Sequence, residues 1–255
     1  MCGKFAMRGM AVLFFSLTPV FGGIPQAFAQ YQINVDAVAP VLSRDPVLTV
    51  AEPFGLKTVP VTGGGLLAKW DGVIGDIRAE SDVLANCREH ASPCPAAAQK
   101  FLEVIAEGRA HQGRARIGVI NRAINLAIVP TSDLAQWGVP DRWSAPLETL
   151  TTGRGDCEDY AIAKYVALLE AGVAADDVRL VIVRDLAFEQ DHAVVAARLD
   201  GKWIMLDNRR LVLLQDVDMP RVQPLFVLDE SGVKQFAPSD VADNTAVAAP
   251  AAVDF

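Results

Sequence analysis

Apolar residues recur every three or four positions from Leu66 to Cys87, as Leu66, Leu67, Trp70, Val73, Ile74, Ile77, Val83 and Leu84, which is the spacing of one helical face. A second pattern follows Pro95, where proline suits a first helical turn, and uses Ala97, Phe101, Leu102, Val104 and Ile105 before Gly108. A third runs through Ile117, Ile120, Ile124 and Ala127 and ends before Pro130. Residues 130–152 carry four breakers, Pro130, Gly138, Pro140 and Pro146, around Trp137 and Trp143, and read as a long connection of the kind that borders sites. The next helix opens at Cys157 and runs through Ile162, Tyr165, Val166 and Leu169 to a stop near Gly172. After it the period changes to two. Residues 178–183, 192–199, 202–206 with a continuation to 214, and 224–228 read as four strands, some apolar enough throughout to be central. Residues 30–65, rich in Pro, Val and Gly and closed by Gly63-Gly64-Gly65, predict a lead-in arm with a short strand. Residues 238–255 have no pattern and predict a disordered tail.

The first residues change the picture of where the chain works. Lys4 and Arg8, an apolar run from Met10 to Phe21 and Ala27-Phe28-Ala29 have the order of a cleavable signal peptide over residues 1–29, cut after Ala29. The run is shorter than the ~20 residues that span a bilayer and contains Pro19. A periplasmic mature chain with no membrane insertion of its own is expected. Without Lys4 and Arg8 it carries 21 basic against 31 acidic residues, a net charge of −10, which disfavours nucleic acid and anionic membranes as partners. Of its three remaining cysteines, Cys87 and Cys94 are spaced for a local disulfide in an oxidising compartment. Cys157 is left over, either buried and inert or kept for chemistry.

Cys157 lies where a helix begins, and the unpaired N–H groups of a first turn, with about half a positive charge from the helix dipole, stabilise a thiolate. Asp156, Glu158 and Asp159 crowd the same turn and oppose one. Asp200-Gly201 is a strong two-residue hairpin signal. With that turn, Leu199 pairs with Lys202 and Val194 faces Asp207, so His192 and Asp207 become diagonal neighbours on one side of the hairpin. Cys157, His192 and Asp207 then make a nucleophile, a base and a residue that orients the base. The backbone N–H of Cys157 is the candidate oxyanion donor. Taken singly, a histidine at a strand start and an aspartate at a strand end are ordinary structural residues.

The segments Gly155-Asp156-Cys157-Glu158-Asp159-Tyr160-Ala161, Asp191-His192-Ala193-Val194 and Leu206-Asp207-Asn208-Arg209 resemble the bacterial transglutaminase-like cysteine peptidases, the family that includes the LapG-type adhesin-cleaving proteases. Pro53-Phe54-Gly55-Leu56, Asn121-Arg122-Ala123-Ile124-Asn125 and Ser132-Asp133-Leu134-Ala135-Gln136 extend the resemblance over most of residues 50–237. It implies an α+β, papain-like and transglutaminase-like fold, with a helical lobe against an antiparallel sheet, and a peptidase domain over residues 66–237. It also implies a Cys157, His192, Asp207 triad and a calcium ion on Asp156, Glu158 and Asp159. Oxygen ligands suit calcium, although acidic residues are also favoured in any first helical turn. The histidine and cysteine spacing offers no zinc site. The implied partners are an adhesin-like protein substrate and a membrane-bound regulator that sequesters the protease. Acyl transfer to an amine and a non-catalytic peptide-binding module are the alternative readings of the same residues.

Overall fold

The computed structural model describes residues 51–90 and 93–237. The expected signal peptide, the first part of the arm and the tail lie outside the described residues. Three helices lead the chain: α1 (Gly65–Glu89), α2 (Ala96–Ala110) and α3 (Gly113–Ala127). Each buries the stripe that its spacing marks, with Trp70, Val73 and Leu84 of α1, Phe101 and Ile105 of α2, and Ile117, Ile120 and Ile124 of α3 all in one core. α2 continues past Gly108, which is itself buried and so close to Ile120 that a Cβ would meet its side chain at 2.7 Å. A disulfide joins Cys87 to Cys94, tying the end of α1 to the approach to α2.

The connection at residues 130–152 holds more regular structure than its breakers suggest. It contains α4 (Asp133–Trp137) and α5 (Pro146–Thr152), with proline at the start of α5 and Gly153 in the left-handed conformation at its end. Two-residue strands β2 (Val129–Pro130) and β3 (Arg154–Gly155) pair in parallel and bring the two ends of this connection together. Helix α6 (Cys157–Glu170) follows and is buried on nearly every side from Asp159 to Leu168, so it forms the centre of the molecule.

Strands β4 (Val178–Asp185), β5 (Gln190–Leu199), β6 (Lys202–Leu206), β7 (Leu214–Gln215), β8 (Val222–Asp229) and β9 (Gly232–Phe236) join β1 (Thr58–Pro60) in one sheet of order β1-β9-β8-β4-β5-β6-β7. All its pairings are antiparallel. Leu199 pairs with Lys202 and Val195 with Leu206, the register that Asp200-Gly201 predicts. The sequence departs from the structure at β6. It does not continue to Leu214; it stops at Leu206, and β7 folds back to pair Leu214 with Met205. Strand β9 follows the last strand that the sequence predicts; its five residues carry only two apolar positions, Val233 and Phe236.

Alternation along the strands gives the sheet two apolar faces. Leu180, Val195, Ala197, Leu206 and Leu228 join the core around α6. Val181, Val183, Val194, Trp203, Met205 and Val227 form a second cluster, covered by Phe54 and Leu56 of the arm. No helix among the described residues is long and apolar enough to cross a membrane.

Candidate active site

Three local devices fix the start of α6. Asp156 caps the helix and Asp159 closes a capping box, accepting the Asp156 N–H at 3.3 Å. Gly155 lies so close to Asp159 that a Cβ there would stand 2.5 Å from Oδ2, so only glycine fits. One turn on, the Tyr160 hydroxyl donates to the Ile128 carbonyl at 2.6 Å and pins the helix to the end of α3. Cys157 is thereby held as the first helical residue, half-buried and not in a disulfide.

The Ala193 N–H of β5 donates to Cys157 Sγ at 3.4 Å, so the nucleophile's helix start meets the strand that carries His192. His192 Nε2 lies 2.9 Å from Asp207 Oδ1, and both residues are buried. Burial pushes the Asp207 carboxyl up, but the His192 hydrogen bond and charge, the Arg209 N–H and the Lys164 ammonium outweigh it and hold the group below its ordinary value. An ionised Asp207 can only accept, so Nε2 carries a proton, and in the neutral ring the lone pair is on Nδ1. Nδ1 is buried and has no hydrogen-bond partner. It is the ring nitrogen left for proton exchange, and His192 and Cys157 line the same cleft.

Sequence reasoning missed what holds Asp207. Asn125 Nδ2 donates to the Asp207 carbonyl at 3.0 Å and to the Arg210 carbonyl at 3.3 Å, and Asn121 Nδ2 reaches the Arg210 carbonyl at 3.3 Å. Two asparagines four apart on α3 therefore clamp the turn after β6. The i, i+4 spacing was visible, but its target was not.

The acidic residues are divided. Carboxylate oxygens of Asp133, Asp156 and Asp159 come within 4.8 Å of one another, and those of Asp133, Asp141 and Glu158 do the same. The three acids of the α6 start therefore do not form one group by themselves. Asp133, which the sequence reading gave no role, belongs to both groups, and Asp141 completes one of them. Asp159 has structural duties besides, because its Oδ1 accepts the Ser144 N–H at 2.9 Å. Asp133 Oδ1 and Asp156 Oδ1 are buried with no hydrogen-bond partner.

The Cys157 thiol donates to Glu158 Oε2 at 3.1 Å. Burial, and then the Glu158 charge, push the thiol far above its ordinary range. Burial, and then the hydrogen bond and charge of Asp156, push Glu158 up to about 9, and burial is the first cause that lifts Asp159 to about 7. Crowded, desolvated carboxyls retain protons unless a cation joins them.

No curated protein sequence matches the chain. Among solved structures, Legionella pneumophila LapG is similar at 21% identity, over 62% of this chain and 87% of that one, with a TM-score of 0.51. A calcium-bound structure of Legionella pneumophila LapG is similar at 20% identity, over 64% of this chain and 93% of that one, with a TM-score of 0.51. These likenesses agree with the α+β architecture of helical lobe and antiparallel sheet. The family model for the bacterial transglutaminase-like cysteine proteinases matches residues 79–218, more than half of the 255, and spans Cys157, His192 and Asp207. The chain belongs to the bacterial transglutaminase-like cysteine proteinase family and is a cysteine peptidase of the transglutaminase-like superfamily.

Proposed function

We propose that the chain is an exported, calcium-dependent endopeptidase in which Cys157 is the nucleophile, His192 the general base and acid, and Asp207 the residue that orients His192. The observation that carries this reading is the buried His192 Nε2 to Asp207 Oδ1 bond of 2.9 Å, which leaves Nδ1 unpaired in the cleft that Cys157 lines. Nδ1 takes the thiol proton, and the thiolate adds to the scissile carbonyl. The tetrahedral oxyanion faces the Cys157 N–H, and its collapse breaks the C–N bond as the imidazolium protonates the leaving amine. Water, deprotonated by His192, then hydrolyses the thioester and returns the thiol.

Calcium fits the residues present. The donors are all carboxylate oxygens, which suit a hard cation, and two of them, Asp133 Oδ1 and Asp156 Oδ1, are buried without partners. Asp133 with Asp156 and Asp159, or Asp133 with Asp141 and Glu158, would hold the ion. A bound divalent ion supplies positive charge that lets these acids ionise beside the nucleophile.

A large surface or secreted adhesin as substrate, a membrane-bound regulator and export to the periplasm rest on the family resemblance and on the signal-like residues 1–29. The test compares surface proteins of cells carrying the intact chain with those of cells carrying Cys157→Ala. Loss of one large surface protein only with the intact chain is expected. Unchanged surface proteins, together with no calcium-stimulated cleavage by the purified chain, would overturn the reading.

A further inference from the structure

Two cavities meet at Cys157. One of about 560 Å³ and one of about 480 Å³ both include Cys157, Glu158 and Asp191 in their walls, so they are the two halves of one cleft that passes the nucleophile. The halves differ in the side chains that line them. Beyond these shared residues, the larger half is walled by Leu66, Trp143, Ile182 and Phe226, all half-buried and all packed against the main core. The smaller half is walled by Ser132, Gln190, Asn208 and Arg209.

The apolar half is built into the sheet. Ile182 of β4 pairs with Phe226 of β8 on one side and with Ala193 of β5 on the other, and these three belong to the face that packs on α6. The same row ends at the Ala193 N–H that touches Cys157 Sγ. A register shift between β4 and β8 falls between Ile182 and Val183, where a bulge bends a strand and re-aims its side chains. Leu66 from the start of α1 and Trp143 from the loop before α5 line the same cavity, as do Lys69 and Asp141, which form an ion pair. The core therefore opens to the surface beside the nucleophile. Apolar surface left half-covered in a concave site gains favourable free energy when a ligand covers it.

We infer that this half is a specificity subsite for a large aliphatic or aromatic side chain of the scissile peptide, seated by Leu66, Trp143, Ile182 and Phe226. The inference rests on the reading of Cys157 as the peptidase nucleophile. A peptide crossing Cys157 must enter both halves, so the asymmetry is imposed on residues at fixed positions to either side of the cleaved bond. Covering a buried wall with a polar or charged side chain leaves that group without partners, which is the stronger source of discrimination.

The test is a digest of a proteome-derived peptide library by the full chain with calcium, both new ends of each product being sequenced by mass spectrometry. Leu, Ile, Phe, Met or Trp is expected to be enriched several-fold at one fixed position within three residues of the cut, on one side only. Phe226→Ser and, separately, Leu66→Ser should lower kcat/KM about tenfold for peptides with an apolar residue there, mainly through KM. Peptides with alanine there should lose less, so the ratio of kcat/KM for apolar over alanine peptides should fall several-fold in both variants. Leu66 lies in the first turn of α1, half-buried, so its variant tests the wall even where Phe226→Ser does not fold. Cleavage with no positional apolar preference, or a preference that survives both folded variants, overturns the subsite. An absence of any cleavage that depends on Cys157 overturns the peptidase reading itself, and the subsite with it.

Discussion

Lys164 lies seven residues after Cys157 on α6, with 1% of its surface exposed and its ammonium 5.8 Å from the Tyr160 ring centre. Burial lowers its pKa to about 7, against the opposing pull of the Asp207 charge. Its folded pKa is thus below its unfolded one, so the folded state binds the proton more weakly and loses stability as pH falls from about 10 towards 7. Below pH 7 the loss is complete. Lys164→Met removes the buried cation at similar length and is expected to raise stability on the order of 2 kcal/mol at pH 6, with a gain that shrinks towards pH 10. Thermal unfolding at both pH values checks this, and an equal gain at both would contradict the buried-amine account. At the same scale, His192 and Asp207 are legible in the sequence because one Asp-Gly turn fixes a hairpin register by counting. Asp133 and Asp141 are not, because their approach to Glu158 depends on how residues 130–152 fold back against the start of α6.

Among the elements, α5 is the clearest case of a structure that its own sequence does not sustain. Seven residues are too few for a helix to be stable alone, and its first N–H groups would be orphans. Glu80, sixty-seven residues earlier on α1, accepts the Leu147 N–H at 2.8 Å and the Glu148 N–H at 3.0 Å with its two oxygens. That distant cap is why breaker residues at 130–152 conceal a helix, just as the parallel pair β2 and β3 is concealed because two residues carry no period. The long helices are readable because each has an apolar face of its own, and β7 is not, because Leu211 to Leu214 resemble a continuation of β6 although the chain turns back at Asp207 to Arg210. Since α5 runs into Gly153 and β3, and β3 delivers Asp156 and Cys157, the cap also steadies the nucleophile. Glu80→Ala should cost about 1–3 kcal/mol, the range for leaving buried donors unpaired, with Glu80→Gln falling between the two because it keeps one acceptor. Urea unfolding midpoints give the order, and a Glu80→Ala midpoint equal to that of the unaltered chain would show that water replaces the cap without loss.

On the scale of the molecule, the sheet needs cover on both faces, and the two covers come from different parts of the chain. Helix α6 takes one face; the described end of the arm takes the other. Phe54 packs edge-on against Phe236 with ring centres 6.1 Å apart, and does so from a left-handed backbone conformation, φ 65°, that costs a non-glycine residue about 1 kcal/mol. Its N–H is held by Asp216 Oδ2 at 2.5 Å, the Ala51 carbonyl accepts from Trp203 Nε1 at 2.9 Å, and Glu52 meets Arg179 at 2.8 Å. Arg179 is 7% exposed and shares Asp229 at 3.3 Å, so Glu52 is one half of its charge compensation. Strand β1 then pairs with β9 at the sheet edge. A segment fastened by apolar burial, a buried ion pair and strand pairing is part of the domain rather than a detachable cover for the cleft. A chain beginning after Pro60 is therefore expected to lose at least about 3–5 kcal/mol, the penalty for breaking a buried pair, to melt several degrees lower and to be digested faster by added protease. Its activity should fall with its folded fraction. An unchanged melting temperature would refute the structural role, and a rise in peptidase activity on trimming would make the same residues an inhibitory segment whose removal switches the enzyme on.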